Sequence, residues 1–288
     1  MKLGLLKEVS IYSFYIFLNI IMNKVYWSTG QFVLGMYLGT AAVAVFAVAI
    51  QFQGMYMGFS TAISGVFLPK VTGMVAGNST NREISDLFVR TGRIQYIIMS
   101  FILAGFILFG RQFIILWAGP DYEEAFSITL LFFIALTIPL IQNLGITILQ
   151  ARNQMEFRSW LYFVMAIFSL VFQILLAEKY GGLGVAYAIA GGLVLGNVII
   201  MNIYYPRKQH IDIIRFWREI IRMSIAPGII SIGTYYLLNG MIFESFGQLV
   251  IAIGIFSVVY LPVFWFSSMN TYERELLKKP MVKLLKRN

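Results

Sequence analysis

Long apolar runs separated by short polar connections set the pattern of this chain. The runs repeatedly reach the ~20 residues that cross a bilayer as a helix. Eight spans are predicted, at roughly 10–38, 41–69, 94–117, 125–149, 157–177, 183–205, 220–240 and 247–269. Polar residues inside the first two fall at helical spacing. In the first, Tyr12, Tyr15, Asn19, Asn23, Tyr26 and Trp27 recur three or four apart and share one face. Lys24 flanks that face and Gln31 follows it. The second span carries Gln51, Gln53, Tyr56, Ser60 and Ser64. Lipid offers no partner to an amide or an ammonium, so such stripes face protein or water. Two readings stay open: the wall of a cavity, or polar glue between helices. Lys24 favours the cavity, and snorkelling to an interface is its plainer alternative.

Glycine and proline punctuate the runs. Gly30 is expected to bend the long first span. Pro69 is expected to end the second, and Pro139 to kink the fourth. Gly184, Ala188, Gly192 and Gly196 put small residues on one face of the sixth, which suits close helix packing, as does Gly54-Met55-Tyr56-Met57-Gly58 in the second. Gly181-Gly182-Leu183-Gly184 reads as the turn that starts a helix. In Arg207–Arg222, Ile211, Ile214, Trp217 and Ile221 oppose Arg215, Arg218 and Arg222, which predicts a helix lying in the membrane interface.

Composition agrees. Of 288 residues 59% are hydrophobic and 12% charged, where a soluble domain holds about a quarter charged. This is an all-α, polytopic membrane bundle. The net charge of +9 comes from position rather than from nucleic-acid binding. Nineteen of 22 basic residues fall in the two tails and in the second, fourth and sixth connections. The positive-inside rule then puts both termini in the cytoplasm of a cell-membrane protein, with the basic segments near anionic lipid. Lys2 and Lys7 precede an apolar run too long for a signal peptide and without a small-residue cleavage site, so it is read as a retained helix.

Chemistry is sparse. There is no cysteine and one histidine, His210. No metal-binding or nucleotide-binding motif appears, so no cofactor and no metal are expected. All 13 acidic residues lie outside the predicted spans. Asp121, Glu123 and Glu124 suit the start of the fourth helix. An enzyme is not expected.

Several stretches carry a resemblance. Phe109-Gly110-Arg111-Gln112-Phe113-Ile114-Ile115-Leu116-Trp117-Ala118-Gly119, followed by Tyr122 and Ala125, is similar to an FGxxFIxLWxGxxYxxA signature. With it come Tyr26-Trp27, Leu34-Gly35, Gly39-Thr40, Pro69-Lys70, Ala151-Arg152-Asn153, and Tyr180-Gly181-Gly182-Leu183-Gly184-Val185-Ala186 running to Asn197 and Tyr204-Tyr205. In this order they resemble the oligosaccharide flippases (O-antigen, capsule, exopolysaccharide) of the multidrug/oligosaccharidyl-lipid/polysaccharide exporter superfamily, over about residues 10–222. The resemblance implies two six-helix lobes around a cavity, often with two extra helices. This chain looks like the second lobe (1–205), a cytoplasmic connector (206–222), the extra pair (223–270) and a basic tail (271–288). A truncated or split frame is one account of that, and the expected partner is a missing first lobe or a second copy.

The resemblance implies transport of an undecaprenyl-pyrophosphate-linked oligosaccharide across the cell membrane during polysaccharide biosynthesis. Lys24 is the candidate phosphate cation, with Arg90 and Arg93 at the cytoplasmic mouth. Asn19, Asn23, Gln31, Gln53 and Tyr56 are candidates for sugar contact, with Gln142 and Asn143 beside Pro139 behind them. Ordinary positive-inside anchoring is the rival account of both arginines. Rival functions are a drug or metabolite antiporter, for which an intramembrane carboxylate would be expected, and a non-transporting scaffold of a polysaccharide synthesis complex.

Overall fold

The computed structural model describes residues 3–238, 240–276 and 278, with side chains from Ser10 onward. Lys2, Lys7 as a side chain, and the tail residues Lys279, Lys283, Lys286 and Arg287 lie outside the described residues. Every described element is helical. In order they are α1 (Leu3–Tyr37), α2 (Gly39–Ala76), α3 (Asn81–Ala118), a 3-10 turn (Pro120–Tyr122), α4 (Glu124–Ile141), α5 (Leu144–Ala151) and α6 (Glu156–Leu193). A π-helical stretch (Val194–Ile200), α7 (Met201–Gln209), α8 (Ile213–Leu238), α9 (Phe246–Val263) and a second π-helical stretch (Phe264–Ser268) follow. Six helical stretches are long and apolar enough to cross a membrane. The chain is a multi-pass helical membrane protein. α1 is not among the six.

One of the six, Glu156–Gln209, is a hairpin in one continuous stretch. Gly181 breaks it with φ 58° and ψ −138°, a conformation open to glycine and few others. The two limbs then pack antiparallel, and the small-residue stripe is the seam. A side chain on Gly184 would strike the Leu176 carbonyl; one at Gly192 would meet Ser169 Cβ at 3.4 Å; one at Gly196 would meet Met165 Cγ at 2.8 Å. The spacing therefore does what close-packing glycines do in membranes.

The turns sort into two ends. At one end Arg152, after α5, donates to Gln209 at the end of α7 and to Asn81 at the start of α3. Arg215 pairs with Asp86 there, and Ser85 bonds the His210–Asp212 turn. This is the basic end. At the other end Leu38 approaches Gly181, Glu124 approaches Gly182, and Gln112 bonds the backbone of Met241 and Phe243.

Three expectations about helix breaks need correction, and a fourth is sharpened. α1 runs unbroken through Gly30, whose missing side chain admits Phe46 and Val185 at 2.9 Å from an ideal Cβ; the glycine serves contact, not bending. α2 continues through Pro69 to Ala76, as membrane helices tolerate proline where a soluble helix would stop. The basic segment is not a separate interfacial helix. After a left-handed His210 (φ 54°), α8 starts at Ile213 and runs straight into the span. It buries Ile213, Phe216, Ile220 and Met223, while Ile214 and Ile221 are exposed. Phe216 wins that register because it seats on Gly92 of α3. At Pro139 the expected kink is a full break: α4 ends at Ile141 and α5 begins at Leu144.

The extra pair α8–α9 packs on the outer side of α3 through Phe88–Phe216 (5.2 Å) and a Phe101–Phe256–Tyr260 cluster. α3 is thus shared by both layers.

Candidate functional site

The bundle holds a cavity of about 310 Å³ between α1, α2, the α4–α5 break and the α6 hairpin. α1 contributes Asn19, Asn23 and Trp27, and α2 contributes Met57 and Thr61. The break contributes Pro139, Asn143 and Gln150; the hairpin contributes Arg158, Tyr162 and Asn197. Each polar residue is there for a local reason. α4 runs through Pro139 to Ile141, and Gln142 and Asn143 turn the chain into α5. Asn143 then stands at the N-cap of α5, yet its side chain caps nothing. Asn197 sits in the π-helical stretch, where a widened turn re-aims side chains.

Hydrogen bonding separates these amides from Gln142 and Gln173, while Gln31 and Gln51, off the cavity, are likewise without a side-chain bond among the described residues. Among the described residues, the side chains of Asn23, Asn143, Gln150 and Asn197 have no intramolecular partner. Off the cavity, Gln142 exchanges bonds with Asn202 at 2.9 and 3.1 Å, and Gln173 donates to Ser169 at 3.0 Å. Asn19 is the exception at the cavity. Its Nδ2 donates to the Tyr15 carbonyl at 3.0 Å and to the Ser159 hydroxyl, and its Oδ1 accepts from Arg158 Nη1 at 2.8 Å. The Arg158 guanidinium also lies 5.5 Å from the centre of the Tyr162 ring. Trp27 is buried, and its indole N–H has no hydrogen-bond partner, although the Tyr162 hydroxyl lies nearby without meeting bonding geometry. Asn23 and Thr61 are exposed as well as cavity-lining, so the cavity opens to the surface beside them. Its wall is mainly apolar, with Ile16, Ile20, Leu136, Leu140 and Ile146 among the lining, and the amides and Arg158 are the polar groups set into it.

The sequence-derived candidates divide. Asn19 and Asn23 line the cavity; Lys24, Gln31, Gln53, Tyr56, Arg90 and Arg93 do not. Lys24 is exposed, about 100° around the helix from Asn23. Gln31 is half-buried beyond Trp27. Gln53 is buried and donates to Met57 Sδ. Tyr56 is buried; it bonds Thr137 at 2.8 Å and the Met99 carbonyl at 3.2 Å, and stacks on Phe133 at 4.0 Å. Arg90 is exposed, with its guanidinium 4.4 Å from the Tyr272 ring centre.

Arg93 is a tie between layers instead of a mouth cation. It donates to Glu273 (2.6 and 3.0 Å), Glu219 (2.6 Å) and the Ser268 carbonyl (3.1 Å). Burial opposes its charge, but Glu273 and then Glu219 more than offset this and hold its pKa above the ordinary arginine value. It holds α8 and the segment after α9 to α3. Sequence reasoning missed Arg158, grouping it with the basic anchors. The available signal was its place in the first turn of a span, four residues before Tyr162 on the same face.

No family model, curated protein or solved structure matches the chain. Among the described residues no group of histidine and acidic side chains is arranged to hold a metal.

Proposed function

We propose that this chain is a transporter lobe that moves a lipid-linked oligosaccharide across the cell membrane. The reading joins the sequence resemblance to one observation: four amides that bond nothing within the protein converge on one intramembrane cavity. Amides left without partners in apolar surroundings are costly, and a sugar supplies both donors and acceptors to satisfy them. Trp27 and Tyr162 offer ring faces for the sugar's apolar side. No bond is made or broken; the cavity substitutes for water while the head group crosses. An undecaprenyl-pyrophosphate carrier is the substrate that the resemblance favours.

Eight crossing limbs fit this reading: α1, α2, α3, α4–α5, the two limbs of the hairpin, α8 and α9. Basic connections at one end, with the positive-inside rule, support a topology with both termini in the cytoplasm. The exposed polar residues beside the opening, Asn23, Lys24 and Thr61, call for cover in a membrane. A second helical lobe, as another chain or a second copy, supplies it.

The test is surface polysaccharide in a strain lacking its own flippase, with the lobe supplied in a complete transporter and normalised to membrane abundance. Asn23→Leu and Asn197→Leu are each expected to reduce export at least about tenfold, as lost sugar bonds at a desolvated site do. Parental export from both at equal abundance would remove the cavity's claim to the substrate.

A further inference from the structure

Among the described residues, every arginine withdrawn from the surface but one makes several bonds inside the protein. Arg93 holds two carboxylates. Arg152 bonds Gln209 and Asn81. Arg274 bonds the Trp265 and Phe266 carbonyls at 3.0 Å each. Arg111 and Arg215 pair with Glu123 and Asp86 at the surface. Arg82, Arg90, Arg207, Arg218 and Arg222 are exposed. Arg158 is half-buried, lines the cavity, and among the described residues makes one hydrogen bond, to an uncharged amide. No acidic residue lines the cavity with it. A guanidinium in such a place lacks its counter-charge.

We propose that Arg158 is the anion ligand of the cavity, that its ligand is the phosphoryl group of a membrane lipid, and that Asn19 is the residue that positions it. Asn19 is fixed from two sides, by the Tyr15 carbonyl and the Ser159 hydroxyl, so its Oδ1 has one direction to point. That oxygen holds a single N–H of Arg158. The planar fork keeps the remaining donors for two oxygens of one phosphate, which an ammonium cannot match bidentately. Asn19 orients the guanidinium without neutralising it, as an aspartate there would.

The anion site stands on this geometry; that the lipid carries an oligosaccharide rests on the transport reading above. The experiment uses the full chain purified in a neutral detergent, with farnesyl pyrophosphate as the calorimetric probe and farnesol as the uncharged control. The parent is expected to bind the pyrophosphate and not farnesol. Arg158→Gln is expected to weaken binding at least about tenfold, and Arg158→Lys by less. Asn19→Asp sets a carboxylate against the guanidinium and is expected to weaken the probe about as much, while losing the Nδ2 donor to the Tyr15 carbonyl lowers the melting temperature. A merely structural Asn19 would lower the melting temperature and leave affinity alone. Asn19→Asp also decides the matter if Arg158→Gln does not fold. Affinity of either variant within about twofold of the parent, or equal binding of farnesol, overturns the proposal. Equal displacement of the probe by phosphatidylglycerol keeps the anion site and assigns it to bulk lipid head groups, which counts against the transport reading alone. Loss of probe binding in Arg158→Gln with export intact keeps the anion site and counts against the transport reading alone.

Discussion

The polar stripes of α1 and α2 look alike along the chain and meet opposite fates. Gln51 of the α2 stripe is exposed; the rest of the stripe turns inward against α3 and α4 and is bonded, though Gln95 Oε1 opposite it has no partner. Ser60 donates to the Leu140 carbonyl at 2.7 Å. Gln95 of α3 donates to Ser60 Oγ at 3.1 Å and to Ser64 Oγ at 2.7 Å. Tyr56 closes the row on Thr137, beside an apolar crevice of about 270 Å³ walled by Phe52, Phe106 and Phe133. The α1 stripe splits. Tyr26 and Thr29 stitch α1 to the α6 hairpin through the Ile189 carbonyl and Gln173, whereas Asn19, Asn23 and Trp27 are left at the cavity. The difference is the partner. α2 packs on α3, α4 and α5 and finds complementary polar groups on them, whereas α1 packs chiefly on the α6 hairpin and leaves Asn23 and Trp27 at the cavity. Polar residues in a membrane helix are thus glue where a neighbouring helix sets a partner against them and a site where none stands opposite.

That contrast can be broken at its strongest point first. Arg93→Met removes the cation between two carboxylates, one of them, Glu273, only 1% exposed. It is expected to cost about 3–5 kcal/mol in unfolding by SDS titration in mixed micelles. Arg158→Met, which strands no buried carboxylate, is expected to cost under about 1 kcal/mol in the same measurement. Equal losses would erase the distinction between a tie and a ligand.

Next come the consumed amides and hydroxyls. Gln95→Leu leaves Ser60 and Ser64 the bonds they donate, to the Leu140 and Ser60 carbonyls, but removes the donor that joins them, at about 1–2 kcal/mol. Tyr56→Phe forfeits its bonds to Thr137 and Met99, at about 1 kcal/mol. Both are expected to leave export per folded protein unchanged. Asn23→Leu should do the reverse, with stability within about 0.5 kcal/mol of the parent or higher. If Tyr56→Phe lowers export while stability holds, the α2 stripe belongs to the site after all.

The smallest effect is expected at Lys24. It is exposed and off the cavity, so Lys24→Met should change stability by less than about 0.5 kcal/mol and leave export near parental. A sharp fall in export at equal abundance would restore Lys24 as a substrate cation, reached through the covering lobe and not through this cavity.

By itself the sequence determined the solvent, the element type and the punctuation. Apolar runs of bilayer length admit only helices, because every backbone group must be satisfied within its own segment. The positions of Gly181 and of the basic connections then set where the chain reverses and where its cationic segments gather. Small residues spaced four apart gave away the hairpin seam, since only glycine-sized contacts let two helix backbones approach so closely. Tertiary structure decided everything that depends on what stands opposite. That α2 runs on past Pro69 and α4 ends soon after Pro139 was one such matter. Which face of Ile213–Met223 is buried was another, settled by the gap over Gly92 that takes Phe216. Arg93 and Arg158 were indistinguishable as basic residues near a span's end. One meets Glu219 and Glu273, 126 and 180 residues away, and the other meets an amide. A partner so distant leaves no periodicity in the sequence, and the partner decides whether a buried charge is spent on the fold or kept for a ligand.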